Sequence, residues 1–149
     1  IRSCGLIFMI IGIKMLKRRY EFRAEFFDSD PMGIMWHGNY VKYLEIARCK
    51  LFDEIDFNYI KMKNSGFTLP IIKMDIKYIS PIYFNDDFIV EIHLVECDIT
   101  LKFNYILLSK EGLKISKANT IQVAVTLDKK TLYSIPNELQ TALLQHNKT

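Results

Sequence analysis

Cysteine is scarce in this chain, whose 149 residues include only Cys4, Cys49 and Cys97, at wide spacings and without a C-x-x-C pair. Because structural zinc sites use closely spaced cysteines, we expect no metal, and we expect free thiols in a reducing cytoplasm. Internal repeats and low-complexity segments are also missing. The length fits one domain, and half of the residues are apolar, which is enough for a sizeable core.

A strong excess of charge is likewise absent, since the formal net charge is +3. Apart from Lys14 and the run 17–19, the basic residues are scattered, and no basic stripe with interleaved aromatic residues occurs. We therefore expect no nucleic-acid partner. The mild positive charge is compatible with an anionic small-molecule substrate.

No apolar run reaches the roughly 20 residues that a membrane-spanning helix needs. The run Leu6 to Ile13 is like the apolar part of a signal peptide, but the heavier positive charge follows it and no small-x-small cleavage site is present. Met15 could begin the natural chain. We expect residues 1–14 to be an extension outside the folded unit, either upstream of the natural start or added artificially, and residues 15–149 to form one domain. The alternative is a genuine N-terminal anchor.

Alternation of apolar and polar residues predicts five strands. They cover residues 21–27, 72–78, 88–94, 101–107 and 121–127, and an earlier start of the last strand, near Leu113, stays open. Between the first two strands, Asn39 to Ile55 is apolar over most of its circumference, which is typical of a buried helix, and Asn39 is a candidate N-cap. Shorter helices are predicted over Phe57 to Asn64 and Pro136 to Gln145.

Short turns between successive strands make the neighbouring strands antiparallel. One antiparallel sheet with one long apolar helix predicts the α+β class. Because a helix that is apolar nearly all round needs more cover than a flat sheet provides, we expect five antiparallel strands curved around a long central helix.

Two carboxylates, two glycines and a histidine are crowded into residues 28–38, directly before this helix. The N–H groups at a helix N-terminus are unpaired and partly positive, so they can polarise a carbonyl and stabilise an oxyanion. A carboxylate held nearby by the rigid Asp30-Pro31 turn can attack that carbonyl or activate a water. Thioester hydrolysis needs little more, because a thiolate is a good leaving group.

Each of these residues also has an ordinary structural interpretation. Asp28 and Asp30 can cap turns, since aspartate before proline is a common turn initiator. Packing, loop or helical ion-pair roles are available to the others, which are Trp36, His37, Tyr40, Glu45 and Arg48. The combination, rather than any single residue, indicates chemistry.

The whole pattern from Asp28 to Arg48, D-x-D-x-x-G-x-x-x-H-x-x-Y-x-x-x-x-E-x-A-R, resembles the 4-hydroxybenzoyl-CoA thioesterase family of hotdog proteins. It is most similar to the bacterial branch associated with the Tol–Pal system, the YbgC-type acyl-CoA thioesterases. The segment 78–81, Tyr-Ile-Ser-Pro, followed by Asp86 and Asp87, resembles that family's second strand and its turn. The resemblance covers residues 20–127 and implies a hotdog fold.

By this resemblance Asp30 is the catalytic carboxylate, as nucleophile or general base, and a backbone N–H near His37 polarises the thioester carbonyl. The substrate-binding residues carried over by position are Gly33, Trp36, His37, Asn39 and Tyr40. The resemblance further implies an acyl-CoA substrate, with no cofactor other than the CoA that is part of it. It implies a homodimer or tetramer with active sites between subunits, and a cytoplasmic location.

Alternatives stay open beside this interpretation. One is hydrolysis of acyl-carrier-protein thioesters, and another is a non-catalytic hotdog protein that binds acyl groups or a protein partner, against which Asp30 and His37 argue. A hotdog dehydratase is disfavoured because its His-Phe-Pro signature is absent. Pro31 follows the 4-hydroxybenzoyl-CoA enzymes whereas His37 follows the Tol–Pal branch, so an aromatic and an aliphatic acyl group both fit. Candidate partners of the CoA phosphates are Lys73, Lys77, Lys102, Lys114 and Lys117.

Overall fold

Seven strands form within residues 15–146, the part of the chain that the computed structural model describes. The strands are β1 (Lys17–Arg23), β2 (Phe67–Thr68), β3 (Ile71–Tyr78), β4 (Asp87–Cys97), β5 (Leu101–Ser109), β6 (Lys114–Gln122) and β7 (Val125–Thr126). The helices are α1 (Asn39–Glu54), α2 (Tyr59–Asn64) and α3 (Asn137–Gln145), and a 3-10 turn spans Phe26–Asp28. None of the helices described is long and apolar enough to cross a membrane. The extension predicted at residues 1–14 lies outside the described residues.

Five of the strands form one antiparallel sheet in the order β1-β4-β5-β6-β3. β1 pairs with β4 residue by residue, from Lys17 opposite His93 to Arg23 opposite Asp87. β1 and β3 are the edge strands of this sheet in the described part of the chain. β2 and β7 pair separately as a two-stranded ribbon.

Helix α1 lies against one face of the sheet, and their interface is the hydrophobic core. Phe52 of α1 meets Phe103 of β5 with ring centroids 6.0 Å apart, and Tyr43 meets Phe88 of β4 at 4.9 Å. Successive strand side chains point to opposite faces, and those that turn toward α1 are buried: Val90, Ile92, Leu94, Phe103, Tyr105 and Leu107. The predicted α+β architecture, a five-stranded antiparallel sheet with a long central helix, is confirmed.

A buried arginine links α1 to the sheet. Arg48, which is 1% exposed, donates from Nε to the Tyr59 hydroxyl at 2.9 Å and from Nη1 to the Tyr105 hydroxyl at 3.1 Å, and its Nη2 pairs with Glu45. The Tyr105 hydroxyl also shares a hydrogen bond with Thr120 at 2.9 Å. Burial alone would lower the pKa of Arg48, but the two tyrosines and Glu45 outweigh it and hold the pKa above its ordinary value. The helical ion pair considered from the sequence is therefore part of a cluster that satisfies a buried charge.

The prediction of a first strand over residues 21–27 is wrong in its bounds. β1 ends at Arg23 because its partner β4 begins opposite that residue, at Asp87. Phe26 continues the apolar alternation, but it lies in the 3-10 turn, is exposed, and packs edge-on against Phe84. An alternating pattern therefore marks a strand only where a partner strand is available.

Other boundaries also differ from the prediction, and β4 and β5 end at Cys97 and Ser109, later than predicted. The last long strand, β6, begins at Lys114, which confirms the early start near Leu113, but it ends at Gln122, after which the chain passes to the ribbon strand β7. Helix α2 begins at Tyr59 rather than Phe57, because the Asn58 side chain caps it by accepting the Lys61 N–H at 2.9 Å.

Candidate active site

Asp28 anchors the segment that precedes α1 through its side chain. The side chain is fully buried, and its carboxylate accepts hydrogen bonds from the Lys42 ammonium, the Tyr43 hydroxyl and the Glu25 N–H, the last at 3.0 Å. Burial alone would raise the pKa of Asp28, but these donors outweigh it, so the pKa lies below its ordinary value. Asp28 is therefore an ionised carboxylate whose hydrogen bonds hold the structure together.

The backbone of Asp28 ties the far end of the same segment. Its carbonyl oxygen accepts the Trp36 N–H at 2.9 Å and the Asn39 Nδ2 at 2.8 Å. Gly38 is the N-cap of α1 and Asn39 is the first residue of the helix, so the prediction of Asn39 as N-cap is wrong. A Cβ atom on Gly38 would lie 2.2 Å from the Trp36 ring, so the Trp36 side chain can pack here as it does only beside a glycine.

Asp30 begins a tight turn two residues after Asp28. Its Oδ1 accepts the Met32 N–H at 2.8 Å and the Ile34 N–H at 3.4 Å, and its own N–H donates to the Ile34 carbonyl at 2.8 Å. Gly33 has a φ of +80°, the left-handed conformation that glycine adopts most readily. Within residues 15–146, the Oδ2 atom of this half-buried carboxylate has no hydrogen-bond partner. The turn fixes Asp30 through one oxygen and leaves the other without a protein hydrogen bond in the described residues.

The peptide groups at the start of α1 are held through their carbonyls. The Trp36 carbonyl accepts the Asn39 N–H at 2.9 Å, and the His37 carbonyl accepts the Tyr78 hydroxyl at 2.9 Å. These contacts orient the two peptide planes that contain the N–H groups of His37 and Gly38. Neither N–H donates to a protein acceptor in the described part of the chain. Two oriented, unpaired N–H groups at a helix N-terminus can stabilise a negatively charged oxygen.

A depression of about 300 Å³ opens beside these N–H groups. The Tyr78 ring packs nearly perpendicular to the Tyr40 ring, with centroids 4.9 Å apart. Burial raises the pKa of the Tyr40 hydroxyl above its ordinary value. The lining residues are Ile34, Met35, His37, Tyr40, Tyr78, Ile79, Ser80 and Pro81. A largely apolar wall with a few directed polar groups is typical of small-molecule sites.

The residues predicted from the sequence lie in one region but play different parts. His37 and Tyr40 line the depression. Asp30 does not line it, although the turn of Asp30 closes on Ile34, which does. The other predicted substrate-binding residues shape or fasten the loop: Gly33, Trp36 and Asn39. In residues 15–146 no group of three or more His, Cys, Asp or Glu side chains could hold a metal ion.

Several residues of the site were not predicted from the sequence as site residues, among them Tyr78, Lys42 and Tyr43. Tyr78 lies at the end of β3, 41 positions from His37, and only the fold brings the two together. Lys42 and Tyr43 follow Asn39 by three and four positions, so all three share one face of α1. That spacing, together with the two aspartates, was a usable signal for the polar cluster around Asp28.

The chain has relatives among known proteins over most of its length. A profile of the Thioesterase-like superfamily matches residues 25–143. A protein of Aquifex aeolicus (strain VF5), named provisionally as an esterase, is 34% identical over 125 residues, which are 83% of this chain and 95% of that protein. The 1,4-dihydroxy-2-naphthoyl-CoA hydrolase of Thermosynechococcus vestitus is 23% identical over 124 residues, which are 82% of this chain and 85% of that protein. The crystal structure of a hypothetical protein from Aquifex aeolicus superposes with a TM-score of 0.79 at 31% identity, covering 85% of this chain and 98% of that one.

These similarities confirm the predicted hotdog fold. They also confirm the predicted class of enzyme, a thioester hydrolase. They extend to the superfamily as a whole and do not distinguish the 4-hydroxybenzoyl-CoA branch within it.

Proposed function

We propose, from the premise that the chain belongs to the Thioesterase-like superfamily, that it hydrolyses an acyl-CoA thioester to the free acid and CoA. Asp30 is the nucleophile or general base of this reaction. One observation carries the proposal: a carboxylate oxygen without a protein partner and two unpaired N–H groups, those of His37 and Gly38, belong to one short segment of the described chain. Neighbouring contacts hold both features in place.

The proposed chemistry uses the two features together. The thioester carbonyl oxygen accepts the N–H groups of His37 and Gly38, which stabilise the negative charge that this oxygen gains in the transition state. Either Asp30 Oδ2 attacks the carbonyl carbon to give an acyl-aspartyl anhydride that water then hydrolyses, or it removes a proton from an attacking water. In both routes the C–S bond breaks and the thiolate leaves. A single turnover in isotopically labelled water separates them, because the anhydride route can leave the label in Asp30.

A CoA thioester is the proposed substrate. The relative from Thermosynechococcus vestitus is named for hydrolysis of an aromatic acyl-CoA, and the Asp28-to-Arg48 pattern resembles the 4-hydroxybenzoyl-CoA thioesterase family, to which we assign the chain. We expect the enzyme to act in the cytoplasm and to need no cofactor. A carrier-protein thioester is the competing substrate. Parallel assays of the same acyl group on CoA and on an acyl carrier protein separate the two.

We further propose a homodimer, in which the second subunit completes the depression, with a tetramer as a higher assembly. β3 is an edge strand in the described residues, so one row of its backbone N–H and C=O groups has no strand partner. Ile72 near its start and Ile79 just past its end are 59% and 46% exposed. Pairing of β3 with a second copy would cover both features beside the depression. Sedimentation analysis should give a dimer or tetramer, and a monomer at micromolar concentration would contradict this part of the proposal.

A free-thiol release assay over a panel of aromatic and aliphatic acyl-CoAs tests the proposed function. We expect the wild type to hydrolyse at least one member with kcat/KM above about 10⁴ M⁻¹s⁻¹, the lower end for typical enzymes. The same acyl group on a carrier protein should react more slowly. Absence of thiol release from every CoA thioester would contradict the proposal.

A further inference from the structure

Three lysines crowd together on the face of the sheet that points away from α1. Lys77 of β3 is the register partner of Lys117 of β6, so both side chains leave the same face, and Lys114 lies near the start of β6. All three are exposed. In the described part of the chain none of them forms an ion pair, whereas the neighbouring Lys73 and Lys110 do. The charges of Lys114 and Lys77 hold the pKa of Lys117 below its ordinary value, as expected for unneutralised like charges.

The lysines border a cavity of about 430 Å³. Asn104 and Asn119, which are register partners on β5 and β6, also line it. Amide side chains both donate and accept hydrogen bonds. A cavity of this volume lies in the range of small-molecule sites. It offers three cations and two amides to an anionic ligand.

A second depression lies between this cavity and the proposed reaction site, as their shared lining residues show. It has a volume of about 330 Å³ and shares Lys114 with the lysine cavity. It shares Ser80 and Pro81 with the depression beside His37. The three hollows therefore follow one another around the end of β3. A long substrate whose reactive group lies at His37 can reach the lysines with its far end.

We propose that Lys77, Lys114 and Lys117 bind the phosphate groups of the nucleotide part of the CoA substrate. This inference rests on the proposed function, because it assigns the nucleotide of the same substrate molecule. Three cations without counter-ions gain from a compact polyanion, and lysine binds phosphate as a point charge. Asp75 borders the lysine cavity and Glu111 borders the second depression. These carboxylates would repel a broad acidic protein surface more than a compact group of phosphates, so the structure favours phosphate groups as the ligand.

Acyl-CoA and the corresponding acyl-pantetheine, which lacks the nucleotide and its phosphates, separate this role from a general effect on catalysis. In the double variant Lys114→Gln/Lys117→Gln, we expect KM for acyl-CoA to rise about tenfold, because charge-assisted hydrogen bonds are lost. The kcat/KM for acyl-pantetheine should not change. The control Lys63→Gln/Lys129→Gln removes the same charge from exposed positions outside the three hollows and should leave both substrates unaffected. An equal loss with both substrates, or no loss with acyl-CoA, would overturn the inference.

Titration calorimetry with adenosine 3′,5′-bisphosphate tests the lysines without hydrolysis. The wild type should bind this nucleotide, and the Lys114→Gln/Lys117→Gln variant should bind it about tenfold more weakly. Added salt should weaken binding by the wild type, because it screens the lysine charges. Adenosine alone should not bind.

Equal binding by wild type and variant, or no binding by the wild type, rejects the lysine site even if the thiol assay succeeds. Lysine-dependent binding in a protein that hydrolyses no thioester rejects the proposed function and keeps the nucleotide site. A variant that is slowed only on acyl-carrier protein would assign the lysines to that protein and reject the nucleotide.

Discussion

Helix α1 meets charged groups at two places, and these are built differently. In the middle of the helix, all three guanidinium nitrogens of Arg48 have protein partners and the side chain is 1% exposed. In the segment before its N-terminus, one oxygen of Asp30 and the N–H groups of His37 and Gly38 have no partner in the described residues. The polar groups of the first place are buried and fully hydrogen-bonded, whereas those of the second are partly unpaired.

This difference separates two uses of polar groups. A buried and fully paired cluster resists removal of any member, because the remaining groups stay buried without partners. Unpaired groups at an accessible helix end contribute little to folding and are available to a substrate. Asp28, buried and paired only two residues from Asp30, belongs to the first kind and holds the segment on which the second kind depends.

The largest effect on stability is expected at the buried cluster around Arg48. Arg48→Met leaves the hydroxyls of Tyr59 and Tyr105 without their buried donor and should lower the free energy of unfolding by about 3 kcal/mol. Urea unfolding followed by circular dichroism measures this change. Arg23→Met is the matched control, since it removes an exposed ion pair with Asp87 and should have a much smaller effect. Equal effects of the two substitutions would contradict the comparison.

Asp28→Asn should lower the free energy of unfolding by about 2 kcal/mol at pH 7, because charged hydrogen bonds to Lys42 and Tyr43 are lost. The pKa of folded Asp28 lies below that of the unfolded chain, about 3.9. Its stabilisation is therefore fully present above that value and is lost as the pH falls through the folded-state pKa. Urea titrations should give a difference between wild type and variant that is large at pH 7 and shrinks below about pH 4. A difference that does not vary with pH would show that the charge is not the cause.

Tyr78→Phe should have the smallest effect, about a tenfold fall in kcat, since it acts on the oxyanion site only through the His37 carbonyl. The ring contact with Tyr40 is kept, so KM and the thermal midpoint should not change. Tyr133→Phe, at a position 97% exposed, is the control. Steady-state kinetics on both variants would reject this positioning role if Tyr78→Phe kept its kcat or lost only thermal stability.

The sheet, the central helix and the region of the site could be predicted because they depend on local alternation and on a short continuous motif. The use of the Asn39 side chain could not, since an amide that caps a helix and one that donates to the Asp28 carbonyl look alike in sequence. The departure of Phe26 from the sheet depends on where β4 begins, at Asp87, far along the chain. Tyr78 reaches the helix start only because β3 ends beside it.

The rate of free-thiol release by Asp30→Asn beside the wild type, on the acyl-CoA that the panel identifies, tests the central claim most directly. The amide oxygen can still accept the N–H groups of Met32 and Ile34, so the turn and the thermal midpoint should be kept. We predict that kcat falls at least ~10²-fold, because the nucleophile or base is gone. A variant that is equally stable and still releases thiol at the wild-type rate would contradict the assignment of Asp30 as the reactive carboxylate.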